Sequence, residues 1–156
     1  MTDDLRTLGL LLAQAERQRD EAFAEQIKLE AAWRAAAAQA EQLVLYRREY
    51  EQRWSAEFCR EGKIELVRCY QGFIERLSQA VEHQERIAGH AAAQAERATA
   101  IMRGHDMRAT ALKKLVERRL KDGERLAAGR EQRLNDEHAS RAAWARNAEA
   151  NARGAI

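Results

Sequence analysis

Four groups of residues in this chain have the types and spacing that could do chemistry. His83 and His90 are seven positions apart, so on a helix they share one face, the start of a two-imidazole metal site. No cysteine or carboxylate pair converges on them in the sequence, so no metal is assigned and solvent-facing or seam-edge histidines account for them. Cys59 and Cys69 have neither metal-ligand spacing nor the numbers for a disulfide framework, and they fit a reducing cytoplasm. Residues 113–133, "KKLVERRLKDGERLAAGREQR", carry eight Lys or Arg against four Asp or Glu. Phosphate binding needs such charge concentrated on one face, and the interleaved acids favour an acidic protein surface over nucleic acid. The sharpest signal is aromatic. Tyr46, Tyr50, Trp54 and Phe58 recur every four residues and climb one helix face, and Tyr70 and Phe73 follow shortly after. Aromatic side chains in such a cluster either pin two helices together or anchor a partner. Six rings exceed what two helices can hide, so part of the cluster is expected to be a docking surface. Gly72, beside Phe73, would leave the helix surface bare for another backbone to approach. No glycine-rich phosphate loop and no strand to mount one on occurs, so no catalytic residue, cofactor or small-molecule ligand is expected.

The elements that position these groups are helices. The chain has 156 residues, no proline, a third of its residues charged, and 27 Lys or Arg nearly balancing 25 Asp or Glu. Ala, Glu, Arg, Gln and Leu dominate, the composition of long helices and coiled coils. A net charge of +2 gives no general reason for a nucleic-acid or membrane-surface partner. No apolar run is long enough to span a bilayer, and no signal-peptide pattern opens the sequence. Seven-residue steps give Leu8, Ala15, Ala22, Leu29, Ala36, Leu43 and Tyr50, one seam of a coiled coil. The companion positions Leu5, Leu12, Arg19, Gln26, Trp33, Ala40, Arg47 and Trp54 are only half apolar. Further on, Leu66, Phe73, Ala80 and Ile87 form one series, and Tyr70, Leu77, Gln84, Ala91 and Ala98 its partner. The pattern becomes ragged around Gly104 and His105 and recovers at Leu112, Leu115, Val116 and Leu120. Charges at helical spacing, such as Glu117 with Lys121 and Glu25 with Lys28, belong to solvated faces.

One weak interruption, Arg60-Glu61-Gly62-Lys63, is where the chain turns. The expected fold is all-α: a single domain over residues 1–156, an antiparallel two-helix coiled-coil hairpin with a longer C-terminal arm. The helices span about 3–58 and 64–148, with the bend at about 59–63 and a frayed tail to 156. Folding back at the bend sets position i opposite roughly 123 minus i, which brings Leu29 to Gln94 and Leu8 and Leu12 to Leu115 and Leu112. The second arm then overruns the first by roughly 35 residues, about 50 Å at 1.5 Å per residue. Leu120, Leu126, Leu134 and Trp144 fall in that overhang, an apolar set awaiting a partner.

"QAEQLVLYRREYEQRW" (residues 39–54), followed by "YQGFIERLSQAV" (residues 70–81), resembles the FliJ family of flagellar export proteins. Leu43, Tyr46, Glu49 and Tyr50 fill its first pattern, and Tyr70, Phe73, Ile74, Leu77, Ala80 and Val81 its second. The opening "LLLAQAERQRDEA" and the charged "LKKLVERRLKDGERLAAGREQRLNDE" also look like the family's two ends. The resemblance implies a two-helix stalk similar to the central stalk of rotary ATPases. It would be a cytoplasmic part of the flagellar type III export apparatus, peripheral at the inner face of the membrane. Implied partners are the export ATPase FliI, its regulator FliH, the cytoplasmic domain of the export-gate protein FlhA, and export chaperones. By the family's pattern, gate binding would use Tyr70, Phe73, Leu77 and Ala80. Where some members carry a histidine one turn later, this chain has Gln84. The overhang would meet the ATPase. Two competing readings are the stalk protein of a virulence-associated type III system and a structural or nucleic-acid-associated coiled coil that oligomerises through its alanine seam.

Overall fold

The computed structural model describes residues 2–60 and 62–154, so Glu61 of the expected bend and the last two residues of the tail lie outside the described residues. Two helices make up almost all of it: α1, Thr2–Phe58, and α2, Ile64–Arg153, with no strand among the described residues. Without proline nothing breaks either helix, and both ends of α1 follow local rules. Asp3 and Asp4 stand in its first turn, where carboxylates favour the positive end of the helix dipole. Its last turn carries no basic residue, and the chain leaves it through a turn closed by Arg60 N–H donating to the Glu57 carbonyl at 2.9 Å. Gly62 lies in the connection, yet no described glycine has a positive φ and a Cβ at Gly62 would meet nothing within 4 Å. The turn therefore tolerates glycine without requiring it.

Contacts divide the chain into two parts, Ala15–Arg108, and Met1–Gln14 with Ala109–Ile156. Within Ala15–Arg108 the two helices pack antiparallel. Gln26 bonds to Thr99, Gln84 to Gln39, and the Tyr50 ring meets Phe73, so facing positions add up close to the expected 123. Leu29 and Gln94 line one groove, as that register requires. The seam on α1 follows the expected seven-residue series, with Ala15, Ala36 and Ala40 buried and Ala22, Leu29, Leu43 and Tyr50 half-buried. Trp33 departs from it, being 40% exposed. It lines a groove with Ala92 and Ala95 of α2.

On α2 one expected series runs along the seam, while the other, Leu66, Phe73, Ala80 and Ile87, is half-buried only at Leu66 and Phe73. Tyr70, Leu77, Gln84, Ala91 and Ala98 are half-buried or buried, whereas Ala80 and Ile87 are exposed. Their place is taken one residue later by Val67, Ile74, Val81, Ala88, Ala95 and Met102. Alternating steps of three and four from Tyr70 lead to this set. Because Leu66, Phe73, Ala80 and Ile87 are apolar as well, composition alone did not separate the seam from its flank. The same steps pass through Met102 and half-buried His105, so the stretch expected to be ragged is regular helix.

In the other part, Leu5, Leu8 and Leu12 of α1 are half-buried, as are Leu112 and Val116 of α2, around the buried Ala109. Leu115, expected opposite Leu8, is 36% exposed instead. Beyond Val116, every described residue except Gly123 is exposed. Ion pairs at helical spacing form at Glu30–Arg34 and Glu137–Arg141, but Glu117 and Lys121 do not close to ion-pair distance. No helix is long and apolar enough among the described residues to cross a membrane.

Candidate functional site

The aromatic residues at the closed end of the hairpin form one connected cluster. Tyr50 is its centre: its ring centroid lies 4.4 Å from Phe73, 5.8 Å from Trp54, 6.0 Å from Tyr70 and 6.2 Å from Tyr46. Trp54 continues to Phe58 at 5.5 Å, and Phe58 meets Tyr70 edge-on at 5.0 Å and 75°. The four-residue spacing puts the first four rings on the seam face of α1, and Tyr70 and Phe73 reach them from α2. Burial pushes the Tyr70 phenol above its ordinary pKa, reinforced by the nearby Glu51 carboxylate and the Tyr50 phenol. The surplus of exposed rings expected from the sequence is smaller than six rings implied. Five are half-buried in one another, and Tyr46 alone is largely open, at 50% exposure.

The five residues of the proposed gate surface sort into two kinds. Leu77 is buried and Tyr70 half-buried in the seam, and Gln84 is tied across it. The Gln84 amide donates to Gln39 Oε1 at 3.1 Å and reaches the Ala36 carbonyl at 3.5 Å. Ala80 is exposed, and Phe73 keeps part of its ring open. Accessible apolar surface here therefore consists of Phe73, Ala80 and, from α1, Tyr46, which lines a groove with Gln39, Gln42, Leu43 and Gln84. Gly72 is bare: a Cβ there would meet nothing within 4 Å, and the Arg76 guanidinium folds back to its carbonyl at 3.2 Å.

The second candidate surface is on the C-terminal arm. Leu120, Leu126, Leu134 and Trp144 are exposed, Trp144 by 77%. At 100° per residue they fall within one arc of about 120° on α2, shared with Arg130, Glu137 and Arg141. A lone helix with large apolar groups on one arc has surface to bury. His83 and His90 are both exposed, and no group of three or more His, Cys, Asp or Glu gathers among the described residues. Cys59 and Cys69 are free and exposed. The sequence placed Gln26 in the seam but missed its polar partner there, Thr99. Gln26 donates to Thr99 Oγ1 at 3.2 Å and to Glu30 Oε1 at 3.3 Å, while its own carbonyl oxygen is buried without a partner. A glutamine at a seam position was the available signal.

A family model described as "Flagellar FliJ protein" matches residues 5–148, nearly the whole chain. Comparison with curated proteins and with solved structures finds no match.

Proposed function

Because the chain belongs to the flagellar FliJ family, whose members are non-catalytic components of the flagellar type III export apparatus, we propose that it couples the export ATPase to the export gate. The observation that carries this reading is the pair of unsatisfied apolar surfaces. One is the Tyr46, Phe73 and Ala80 patch beside a rigid aromatic tip, and the other is the Leu120 to Trp144 arc on the C-terminal arm. A tip clamped by ring packing presents its patch without losing side-chain entropy on binding, which favours a specific contact. The gate protein's cytoplasmic domain, FlhA, is the partner of the tip patch, and the ATPase FliI, with its regulator FliH, that of the arm. Export chaperones would meet the same hairpin, which works in the cytoplasm at the inner face of the membrane. The family's own description favours the flagellar over the virulence-associated system.

One experiment with two arms tests both halves. Ala80→Glu with Tyr46→Ala changes exposed positions, whereas Leu77 is in the seam and its replacement would confound binding with folding. The expected outcome is loss of gate-domain capture with ATPase stimulation kept. Leu126→Ala, Leu134→Ala and Trp144→Ala together preserve helix propensity. They should weaken ATPase stimulation and leave gate capture intact. Loss of both activities in either variant, or of neither, refutes the assignment.

A further inference from the structure

We propose that the C-terminal arm of a second copy of the chain docks on an acidic flank of the midsection, where its arginines meet two levels of paired carboxylates. The flank is marked by a groove of ≈ 300 Å³ that Glu30, Trp33, Ala92, Ala95, Glu96 and Thr99 line. It is not the side of the gate patch: Ala80 stands whole heptads from Gln94 and Ile101, which line the groove on the other side. Glu30 of α1 and Glu96 of α2 share the acidic groove. Eleven residues along each helix, Glu41 and Glu85 repeat the arrangement. Their positions add up to the same sum, so the antiparallel register sets them level as well. Eleven residues are close to three helical turns, so each helix returns to the same face about 16.5 Å away. Between the two levels the flank presents Trp33, Ala37 and Ala92. Just beyond Glu30 it presents Phe23 and Ile27, each more than half exposed.

Like charges set level across two helices repel, and little within the chain offsets them. Arg34 reaches Glu30 only at 4.0 Å, and Glu41, Glu85 and Glu96 make no ion pair among the described residues. Glu82, two heptads from Glu96, adds a fifth carboxylate, and Arg103 a second base at the far end. The arm carries the complement. Arg119, Arg130 and Arg141 recur at the same eleven-residue step, inside the arc that holds Leu120, Leu126, Leu134 and Trp144. Glu137, the carboxylate of that arc, is engaged by Arg141 at 3.9 Å, which leaves Arg119 and Arg130 for the two levels. Leu120 and Leu126 lie between these arginines, as Trp33, Ala37 and Ala92 lie between the carboxylates. A basic helix of another protein would match the charges, but the arm also supplies the step. α2 is unbroken from Ile64 to Arg153, so no turn brings the arm back over its own helix, and the flank it covers belongs to another copy. Exchange of arms between two copies closes a twofold dimer.

The inference does not rest on the coupling role, and its test uses the full chain alone. Sedimentation velocity should show a monomer–dimer equilibrium that added salt shifts towards monomer. Glu85→Arg with Glu96→Arg on the flank, and separately Arg119→Glu with Arg130→Glu on the arm, should each weaken dimerisation about a hundredfold. Mixing the two variants in equal amounts should restore the dimer, because each arm then meets a flank of opposite charge. Glu21→Arg with Glu25→Arg, in the groove on the other side, should leave dimerisation unchanged. Circular dichroism confirms that every variant is helical. A chain that stays monomeric up to about 1 mM overturns the proposal. So does undiminished dimerisation of either reversed variant alone, or an equal loss in the Glu21 and Glu25 control. Failure of the two reversed variants to recombine overturns it too, and leaves the flank to a basic helix of another protein.

Discussion

Tyr50 and Ala36 occupy the same column of one seven-residue repeat, yet the hairpin is built differently around them. At Tyr50 the seam is filled by rings from both helices, with Phe73 at 4.4 Å and Tyr70 nearly parallel at 16°. At Ala36 and Ala40 it is filled by methyl groups, and a Gln84 amide crosses it. Among the described residues eight form the buried core; six are alanine, and Leu77 and Val81 are larger. A buried methyl group contributes about 0.8 kcal/mol, against about 1.5–3 kcal/mol for a large apolar side chain. The tip is therefore a thick, rigid clamp, whereas the midsection holds its helices close but weakly. For the proposed coupling role that division is useful, because a fixed tip would present a defined surface while a weakly held midsection would resist bending less.

The largest effect should come from removing the clamp. Tyr50→Ala deletes four ring contacts and leaves a cavity between Trp54, Tyr70 and Phe73. Because Tyr50 is only half-buried, the expected cost is about 2–4 kcal/mol, below the range for a fully buried ring. Amide hydrogen exchange should show it first at the tip, around residues 50–73. A loss spread evenly over the midsection would mean that the two regions are not distinct.

The midsection should respond in the opposite sense. Gln26→Leu removes a buried carbonyl oxygen that has no partner and adds apolar area to the alanine seam. It strands nothing else: the Thr99 hydroxyl still donates to the Ala95 carbonyl, and Glu30 still pairs with Arg34. A gain of about 1–2 kcal/mol follows, the penalty of an unsatisfied buried polar group being about 1–3 kcal/mol. Thermal unfolding checks it by a higher midpoint. A lower midpoint would show that the glutamine's bonds to Glu30 and Thr99 outweigh the orphaned oxygen. Some of the gain would be taken from register specificity, which a polar seam residue provides by penalising slipped pairings.

How far these differences could be read in the sequence depended on residue size. Where side chains are large, as from Tyr46 to Phe73, spacing identified the seam face, the bend set the register, and the contacts follow both. Where they are small, alanine is equally compatible with seam and surface. Ala80 was therefore placed inside and is exposed, while Ala95 and Ala109 went unassigned and are buried. Polar residues hid the seam too: His105 looked like a break and occupies a regular seam position. The candidate surface was legible as a neighbourhood, but not which members of it face outward. Tyr70, Leu77 and Gln84 share a helix face with the true exposed set only approximately, and a rotation of one residue decides between seam and flank.

Tyr70 offers the finest test of the clamp, because it reads packing through a single proton. Burial raises its pKa above the ordinary value of 10.0, with the Glu51 carboxylate and the Tyr50 phenol acting in the same direction. In the unfolded chain the phenol ionises at its ordinary value, so above that pH the unfolded state holds fewer protons than the folded one. Stability must then fall as pH rises. The contribution is fully present below about pH 10 and is lost as pH climbs through the raised folded value. Tyr70→Phe removes it, and phenylalanine keeps the ring against Tyr50, Trp54 and Phe58. Measured against this variant, the wild-type chain should lose stability only on the alkaline side, while the two behave alike in their pH dependence near neutrality. Tyrosinate absorbance should show a matching late transition that Tyr70→Phe abolishes. If Tyr70 instead ionised with the ordinary tyrosines, its phenol would be in contact with water, and the clamp would be looser than its ring distances describe.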